Sequence, residues 1–222
     1  MIVSVIVPAY NEEKNIKTTL KAIKKAGFAD EIVGVNDGSR DKTGKILEKY
    51  CDKTISFIKN HGKTTAVQVG WLACRGDIIV ILDADLKESA MHGAKLIEPL
   101  INNEADLIIG AVKNTKSGFG FVKKRVQRLI EKKCGVYLEM PLSGQRAFLR
   151  KHLNDYQEVK ADGFGLETMM TLKAIEKGFT IKEIEAPFVH IGKGKGPFGW
   201  WHRGKQWVEV ERSLWKYGKS SL

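Results

Sequence analysis

Short apolar runs alternate with longer segments of helical period along the first half of the chain. Four runs are rich in β-branched residues and are bounded by polar or glycine-containing turns, which is typical of buried strands. These runs are residues 3–7, 32–35, 78–82 and 107–109. Strand–helix alternation of this kind predicts an α/β fold, with a mostly parallel, doubly wound sheet and helices on both faces.

Apolar residues at helical spacing lie between and after these runs. Ile16, Leu20 and Ile23 share one face of a helix that is predicted to begin near Glu12. The same spacing predicts further helices near residues 46–47, 66–73, 91–101, 121–130 and 164–177, and a last strand near 180–184. We expect the less regular second half to complete the sheet and to form one side of a cleft.

The length, composition and first residues of the chain predict its number of domains and its cellular compartment. With 222 residues, 43% of them hydrophobic, the chain can bury the core of one domain. No run reaches the roughly 18 to 20 uninterrupted apolar residues of a membrane-spanning helix. The first apolar run has no basic segment before it, which argues against a signal peptide and for a cytoplasmic protein. The three cysteines, Cys51, Cys74 and Cys134, show no paired spacing and are expected to be free thiols.

Polar clusters follow three of the predicted strands, at residues 8–12, 36–39 and 83–85. In open parallel sheets, ligands bind beyond the carboxyl ends of the strands. Each cluster alone could be a capped turn, but three at one sheet edge favour a ligand site. Asp83 and Asp85 would repel each other unless a cation neutralised them, and a divalent ion such as Mn²⁺ or Mg²⁺ does so while it leaves positions for substrate phosphates.

Taken together, these motifs resemble family 2 type glycosyltransferases with the GT-A nucleotide-diphospho-sugar transferase fold. The chain is similar to dolichyl-phosphate mannose synthase-like enzymes and, more distantly, to glucosyl-3-phosphoglycerate synthase-like enzymes. The resemblance covers about the first 110 residues. The residues that carry it, in family order, are Val5-Ile6-Val7-Pro8-Ala9-Tyr10-Asn11-Glu12, Asn36-Asp37-Gly38-Ser39, Gly62-Lys63 with Ala66 and Gly70, and Gly76-Asp77 leading to Asp83-Ala84-Asp85.

The resemblance implies a domain over residues 1–191, with a nucleotide-sugar-binding half at 1–110 and an acceptor half at 111–191. Asp37 would bind the base, and Asp83 and Asp85 would hold the nucleotide and the metal. The family commonly has an acid where this chain has Asn36, which leaves UDP and GDP sugars both open. The implied nucleotide-sugar site comprises Pro8, Ala9, Tyr10, Glu12, Asp37, Lys63, Asp83, Ala84 and Asp85.

Downstream matches to the family are looser. Ser143, Gln145 and Arg146 lie in a segment that resembles the family's S-G-x-R element near the donor and acceptor phosphates, where Arg146 would be a bidentate phosphate donor or a structural arginine. Glu167, which follows a glycine–aromatic pair, would deprotonate or position the acceptor, or cap a helix. The implied third metal ligand is His190, which could equally be structural, and the implied diphosphate clamp is Lys193 and Lys195.

Residues 192–222 form a basic, tryptophan-rich tail with a predicted amphipathic helix. It holds four of the five tryptophans, and from 193 to 219 it has seven Lys or Arg against two acids. Such a helix is typical of peripheral contact with the inner face of a membrane. Gly204 and Glu211 interrupt its apolar face, so packing against the domain or a partner subunit is the alternative.

The net charge of +11 favours an anionic partner but does not select one. The leading hypothesis is transfer of a sugar to a polyprenyl or other lipid phosphate, and the alternative acceptor is a small anion such as phosphoglycerate. A non-catalytic nucleotide-sugar or nucleic-acid-binding protein is the hypothesis from another class. We expect no binding of nucleic acid, because the chain has no nucleic-acid-binding motif and the acids at the strand ends would repel its phosphates. A homodimer is left open.

Overall fold

A computed structural model describes residues 1–112, 120–157, 159, 161, 165–189, 208 and 212. The strands are β1 (Val3–Ala9), β2 (Glu31–Asn36), β3 (Lys53–Ser56), β4 (Ile78–Ile81), β5 (Leu107–Val112), β6 (Arg146–Leu149) and β7 (Ile181–Ala186). The helices are α1 (Ile16–Ala26), α2 (Thr43–Tyr50), α3 (Lys63–Ala73), α4 (Glu98–Ile101), α5 (Gly120–Cys134), α6 (Leu153–Gln157) and α7 (Gly165–Glu176). Two 3-10 helices span Lys87–Leu96 and Arg150–His152.

The seven strands form one sheet in the order β3-β2-β1-β4-β6-β5-β7. The pairs β1–β2, β1–β4, β2–β3 and β5–β7 are parallel. Only β6 runs against its two neighbours, β4 and β5. The predicted mostly parallel α/β sheet is therefore confirmed, with one antiparallel strand inserted between β4 and β5.

Alternating side chains of the central strands supply two hydrophobic cores, one on each face of the sheet. In β1, Val5 and Val7 pack beneath α1 and the 3-10 helix Lys87–Leu96, while Ile6 points to the opposite face. The second core contains Trp71 of α3 and Met170 of α7. Because both faces are covered, the central strands carry continuous apolar runs, which is why the sequence identifies them so clearly.

Two strands and two helices differ from the sequence predictions, and one of the two helices is the five-residue α6, which was not predicted. The strands β3 and β6 were not predicted, because β3 is a lysine-bearing edge strand and β6 begins with a charged residue. The helix expected over residues 91–101 is instead a 3-10 helix followed by the short α4. Pro99 lies in the first turn of α4. Its ring and missing N–H are tolerated at that position and disfavour a continuous helix through it.

Among the described residues, no helix is both long enough and apolar enough to cross a bilayer. The predicted boundary at 191/192 and almost all of the tail lie outside the described residues, except that Val208 and Arg212 are helical and exposed. The division of the chain into two halves and a tail stays a prediction.

Candidate active site

The three polar clusters converge on the edge of the sheet where the parallel strands end. Ala9, the last residue of β1, is the register partner of Asn36, the last residue of β2. On the other side of β1, the last residue of β4, Ile81, pairs with Arg146, where the antiparallel β6 begins. The segment before β6 therefore reaches the same edge as the clusters after β1, β2 and β4.

Lys63, the first residue of α3, lies at the centre of this edge. Its Nζ is 2.7 Å from Asp83 Oδ1 and 2.8 Å from Glu167 Oε1. Asp83 follows β4, and Glu167 lies in the first turn of α7. A side-chain amide N–H of Gln145 donates to Asp83 Oδ2 at 2.8 Å. We call Lys63, Asp83, Gln145 and Glu167 the acid–lysine cluster; it joins α3, β4, the segment before β6, and α7.

The acid–lysine cluster is largely buried, and its charges depend on one another. Glu167 is 3% exposed and the Lys63 side chain 19%. Burial by itself would lower the pKa of Lys63, but Asp83 and Glu167 outweigh this and raise the pKa above its usual value, so the ammonium stays charged. Glu167 Oε2 is also buried and has no hydrogen-bond partner among the described residues. A buried carboxylate oxygen without a donor is a candidate acceptor for a substrate hydroxyl.

Little room is left beside the Lys63–Asp83 contact. A Cβ placed on Gly144 would lie 2.6 Å from Lys63 Nζ and 2.7 Å from Asp83 Oδ2. The absence of a side chain at Gly144 therefore allows the segment before β6 to approach the two charged groups. The resemblance pointed to this segment, but no sequence pattern indicated that its glycine lies against the Lys63 ammonium.

Asp37, the expected base-binding residue, is buried at the end of β2 and faces the loop at residues 60–62. Its Oδ1 accepts the backbone N–H of His61 at 2.6 Å. Its Oδ2 accepts the side-chain amide of Asn60 at 2.8 Å and the backbone N–H of Gly62 at 2.9 Å. Recognition of a base by this carboxylate stays a prediction, since the structure engages both of its oxygens within the chain.

The segment after β1 is fixed against the turn after β2. The Ala9 carbonyl accepts the backbone N–H of Asp37 at 2.9 Å. The Glu12 backbone N–H donates to Thr43 Oγ1 at 2.8 Å. Pro8 is buried, whereas Tyr10 is 42% exposed at the edge. The predicted nucleoside-pocket residues before α1 thus lie beside the Asp37 turn.

The guanidinium of Arg146 is buried and holds the segment that precedes it. Its Nε donates to the Ser143 carbonyl at 2.9 Å, and its two terminal nitrogens donate to the Pro141 carbonyl at 2.7 Å and to Thr171 Oγ1 at 2.9 Å. Burial lowers the pKa of Arg146 to about 10, although nearby Glu167 opposes this. A direct bond from Arg146 to a phosphate would require these contacts to be exchanged, and that role stays a prediction.

Two further side chains hold the same segment, and sequence reasoning missed both. Glu183 of β7 accepts the backbone N–H groups of Glu139 and Met140, each at 2.6 Å. Gln127 of α5 donates to the Leu138 carbonyl at 2.9 Å. Neither residue lies in a recognisable motif, because each acts only through a contact that is distant in sequence.

Asp85 and Ala84 follow Asp83 at the end of β4. Ala84 is 5% exposed, and its carbonyl accepts Thr19 Oγ1 at 2.7 Å, which ties this turn to α1. Asp85 is partly exposed. Ser143 Oγ lies 2.5 Å from the Gly110 carbonyl, so Ser143 is bound inside the fold. Three predicted site residues, His190, Lys193 and Lys195, lie outside the described residues.

Comparison with known proteins gives a family and a set of relatives. The model of "Glycosyl transferase family 2" matches residues 4–160. A dolichol-phosphate mannosyltransferase of Pyrococcus furiosus is 33% identical over 211 residues, which are 88% of this chain and 58% of the relative. An undecaprenyl-phosphate 4-deoxy-4-formamido-L-arabinose transferase of Pseudomonas fluorescens is 29% identical over 150 residues, which are 60% of this chain and 43% of the relative. The chain spans about half the length of these curated relatives.

A solved structure is similar over almost the whole chain. It is glucosyl-3-phosphoglycerate synthase from Mycobacterium tuberculosis in complex with Mn²⁺, uridine-diphosphate-glucose and phosphoglyceric acid. The TM-score is 0.79 at 24% identity, and the match covers 96% of this chain and 78% of the other. At this identity the likeness shows a shared fold.

Proposed function

This chain belongs to glycosyl transferase family 2 and has the GT-A fold, and from that premise we propose that it transfers a sugar from a nucleoside-diphosphate sugar to a phosphate-bearing acceptor. The observation that carries the proposal is the acid–lysine cluster at the carboxyl edge of the sheet. The buried Glu167, the half-buried Asp83 and Lys63, and a Glu167 oxygen with no partner among the described residues lie where open α/β sheets bind their ligands.

A divalent cation fits the residues after β4. Among the described residues, no three His, Cys, Asp or Glu side chains are grouped to hold a metal by themselves. Mg²⁺ and Mn²⁺ commonly bind through one or two carboxylates while substrate phosphates complete the shell. Asp85 is our first candidate ligand, because it lies just beyond the carboxyl end of β4 and is partly exposed; His190 is the candidate beyond the described residues. When bound, the ion would stabilise the charge of the departing nucleoside diphosphate.

Glu167 is the residue that we assign to the acceptor side. Its Oε1 is held by Lys63, and its Oε2 is left to accept a hydrogen bond from a hydroxyl of the acceptor or the sugar. For a hydroxyl acceptor this carboxylate would take the proton as the bond to the anomeric carbon forms. For a phosphate acceptor, which is already ionised, the same oxygen would orient the sugar instead.

For the acceptor we favour a polyprenyl or other lipid phosphate. Both curated relatives described above are named for transferases of lipid phosphates. Phosphoglycerate is the second candidate, since the similar solved structure holds phosphoglyceric acid. The two differ in the apolar chain and share the phosphate. Transfer of labelled sugar to undecaprenyl phosphate in detergent, with 3-phosphoglycerate in a parallel reaction, separates them, because label in the organic phase marks only the lipid.

Membrane contact through residues 192–222 belongs to the same proposal. Flotation of the full chain with vesicles that contain phosphatidylglycerol, compared with phosphatidylcholine alone, measures it. We expect binding to the anionic vesicles only, and weaker binding when the four tail tryptophans are replaced with alanine. Equal flotation of the tryptophan variant would show that the tail tryptophans do not mediate contact. The four residues are Trp200, Trp201, Trp207 and Trp215.

The donor site is tested by thermal unfolding with nucleoside diphosphates and nucleotide sugars, each with and without Mn²⁺. A ligand at 100 times its Kd stabilises the fold by about 2.7 kcal/mol. We expect a metal-dependent rise in Tm that is lost in Asp85→Ala. Asp77→Ala is the matched control, because Asp77 precedes the opposite end of β4 and accepts the Ile2 N–H. If no nucleotide raises the Tm of the folded protein, the proposed donor site is refuted.

A further inference from the structure

The carboxylate of Asp37 has one hydrogen-bond acceptor position left. A carboxylate has about four such positions, shared equally by its two oxygens. Oδ2 accepts the side-chain amide of Asn60 at 2.8 Å and the backbone N–H of Gly62 at 2.9 Å, so both of its positions are taken. Oδ1 accepts the backbone N–H of His61 at 2.6 Å, and no second donor reaches it among the described residues. Asp37 can therefore accept one further N–H, through Oδ1.

The three donors belong to the loop between β3 and α3, residues 57–62, which is packed against the turn after β2. Gly38 in that turn has φ +71°, and a Cβ on it would lie 2.4 Å from the carbonyl carbon of Lys59. Two of the donors are backbone N–H groups, which cannot rotate away as a side chain can. The third, the Asn60 amide, is held twice, since it also lies 3.3 Å from the Asp37 carbonyl. We therefore expect all three bonds to persist when a nucleotide binds.

Nucleobases differ in the N–H groups that one edge presents. Guanine presents N1–H beside its N2 amino group, and this pair matches the two oxygens of one carboxylate. Uracil presents a single N3–H between two carbonyl oxygens. If guanine bound at Asp37, its second N–H would face Oδ2, which is already engaged. Because Asp37 is 3% exposed, water has little access to pair that N–H, and an unpaired buried donor is unfavourable.

We infer that the donor carries uridine diphosphate and not guanosine diphosphate, because the one open position on Asp37 matches the one N3–H of uracil. This preference rests on the proposed function, since it concerns the base of the proposed donor. It also gives Asn60 a role in specificity. The Asn60 amide takes the position on Oδ2 that guanine needs, although Asn60 lies outside the motifs that carry the family resemblance.

The first test asks whether the base is held through a single N–H. The Kd values of UDP, GDP and 3-methyluridine diphosphate are measured by calorimetry with Mn²⁺ and the full chain. 3-Methyluridine diphosphate differs from UDP in that a methyl group replaces the hydrogen on N3. We expect UDP to bind about tenfold more tightly than either of the others, or better, because a hydrogen bond to a charged acceptor contributes at least that factor.

The second test changes the number of open positions on Asp37. Asn60→Ala removes the amide from Oδ2, so that each oxygen then has one position for a base N–H. We expect the preference for UDP over GDP to fall by about tenfold, because guanine gains its second acceptor. A general loosening of the loop would weaken both nucleotides by a similar factor. The control is Ile58→Ala, which alters the same loop at a fully exposed side chain and should leave the preference unchanged.

Any of three results would overturn the inference: GDP binds as tightly as UDP, 3-methyluridine diphosphate binds as tightly as UDP, or the preference is the same in Asn60→Ala as in the wild type. Each of these leaves the proposed function standing, since a nucleotide still binds. If no nucleotide binds the folded protein, the proposed function and the base preference fail together. If circular dichroism shows that Asn60→Ala does not fold, the three nucleotides on the wild type decide the question.

Discussion

Lys63→Met tests whether the acid–lysine cluster is held together by the lysine charge. The substitution keeps a side chain of similar length and removes the ammonium that lies 2.7 Å from Asp83 and 2.8 Å from Glu167. Since Glu167 is buried, the substitution would leave its carboxyl group inside the protein without the lysine that holds it. Removal of one partner of a buried pair destabilises a protein by about 3–5 kcal/mol.

The matched control is Lys182→Met. Lys182 also contacts a carboxylate at 2.7 Å, that of Glu104, but the two side chains are 42% and 46% exposed. Exposed pairs contribute little to stability, so Lys182→Met should destabilise the protein much less than Lys63→Met. The free energy of unfolding is measured in urea with EDTA present, so that no adventitious cation replaces the lysine. In a protein of this length, about 3–5 kcal/mol corresponds to a fall in Tm of about 6–20 °C.

A second substitution checks the cause of the loss. In Lys63→Met/Glu167→Gln the uncompensated carboxylate is replaced by a neutral amide, so we expect part of the lost stability to return. If Lys63→Met destabilises the protein no more than Lys182→Met, or if the double variant is less stable than Lys63→Met, the electrostatic account of the cluster is wrong.

Three other predictions concern the turn after β2, the amino edge of the sheet and the thiols. Gly27→Ala and Gly38→Ala both place alanine at a positive φ, which disfavours it by about 1–2 kcal/mol. Of the two, Gly38→Ala also brings the new Cβ within 2.4 Å of backbone, so urea titration should find this variant clearly less stable than Gly27→Ala. Equal stabilities would contradict the packing of the loop on Gly38. Burial acts to raise the pKa of Asp106, but hydrogen bonds from His152, the Thr180 N–H and Lys151 outweigh it and the pKa is lowered. Because the folded pKa of Asp106 lies below the unfolded one, this stabilisation is present above the unfolded pKa and is lost as pH falls through the folded pKa. The stability difference between wild type and Asp106→Asn should therefore shrink as the pH falls below about 4, and a constant difference would refute this. Burial raises the pKa of both Cys51 and Cys74 to about 12. Neither thiol should therefore be alkylated by iodoacetamide at pH 8 in the folded protein, whereas both should react in urea. Mass spectrometry of the two cysteine peptides shows whether each is alkylated in either condition.

The central strands and helices are predictable from the sequence because the buried residues of each element recur with the period of that element. In β1 and β4 every position is buried, so an almost continuous apolar run satisfies both faces of the sheet. The polar exception in β1 is Ser4, whose hydroxyl donates to Glu31. In α1, Ile16, Leu20 and Ile23 mark the buried face in the same way. The strand β6 has no such signal: it contains four residues and begins with Arg146, whose burial is possible only because nearby carbonyls and Thr171 accept its N–H groups.

The site was predicted as a set of residues and not as a set of contacts. The motifs correctly brought the ends of β1, β2 and β4 to one edge, since that follows from parallel pairing. The bridge from Lys63 to Glu167 depends on how α3 and α7 pack on the same face of the sheet, and no local spacing encodes this. For the same reason Glu183 had no signal, because its two backbone partners lie in another part of the chain.

The insertion of β6 between β4 and β5 has a consequence for synthesis of the chain. When a ribosome has released residues 1–112, β4 and β5 are both present, yet neither is the other's partner in the finished sheet. Each keeps an unpaired edge until residues 146–149 emerge, and such edges invite association with other chains. The same strand brings Ser143, Gly144 and Gln145 to Lys63 and Asp83. Pairing of β6 with β4 and β5 therefore also brings Gln145 to the candidate site, and the acid–lysine cluster is complete once Glu167 of α7 has followed.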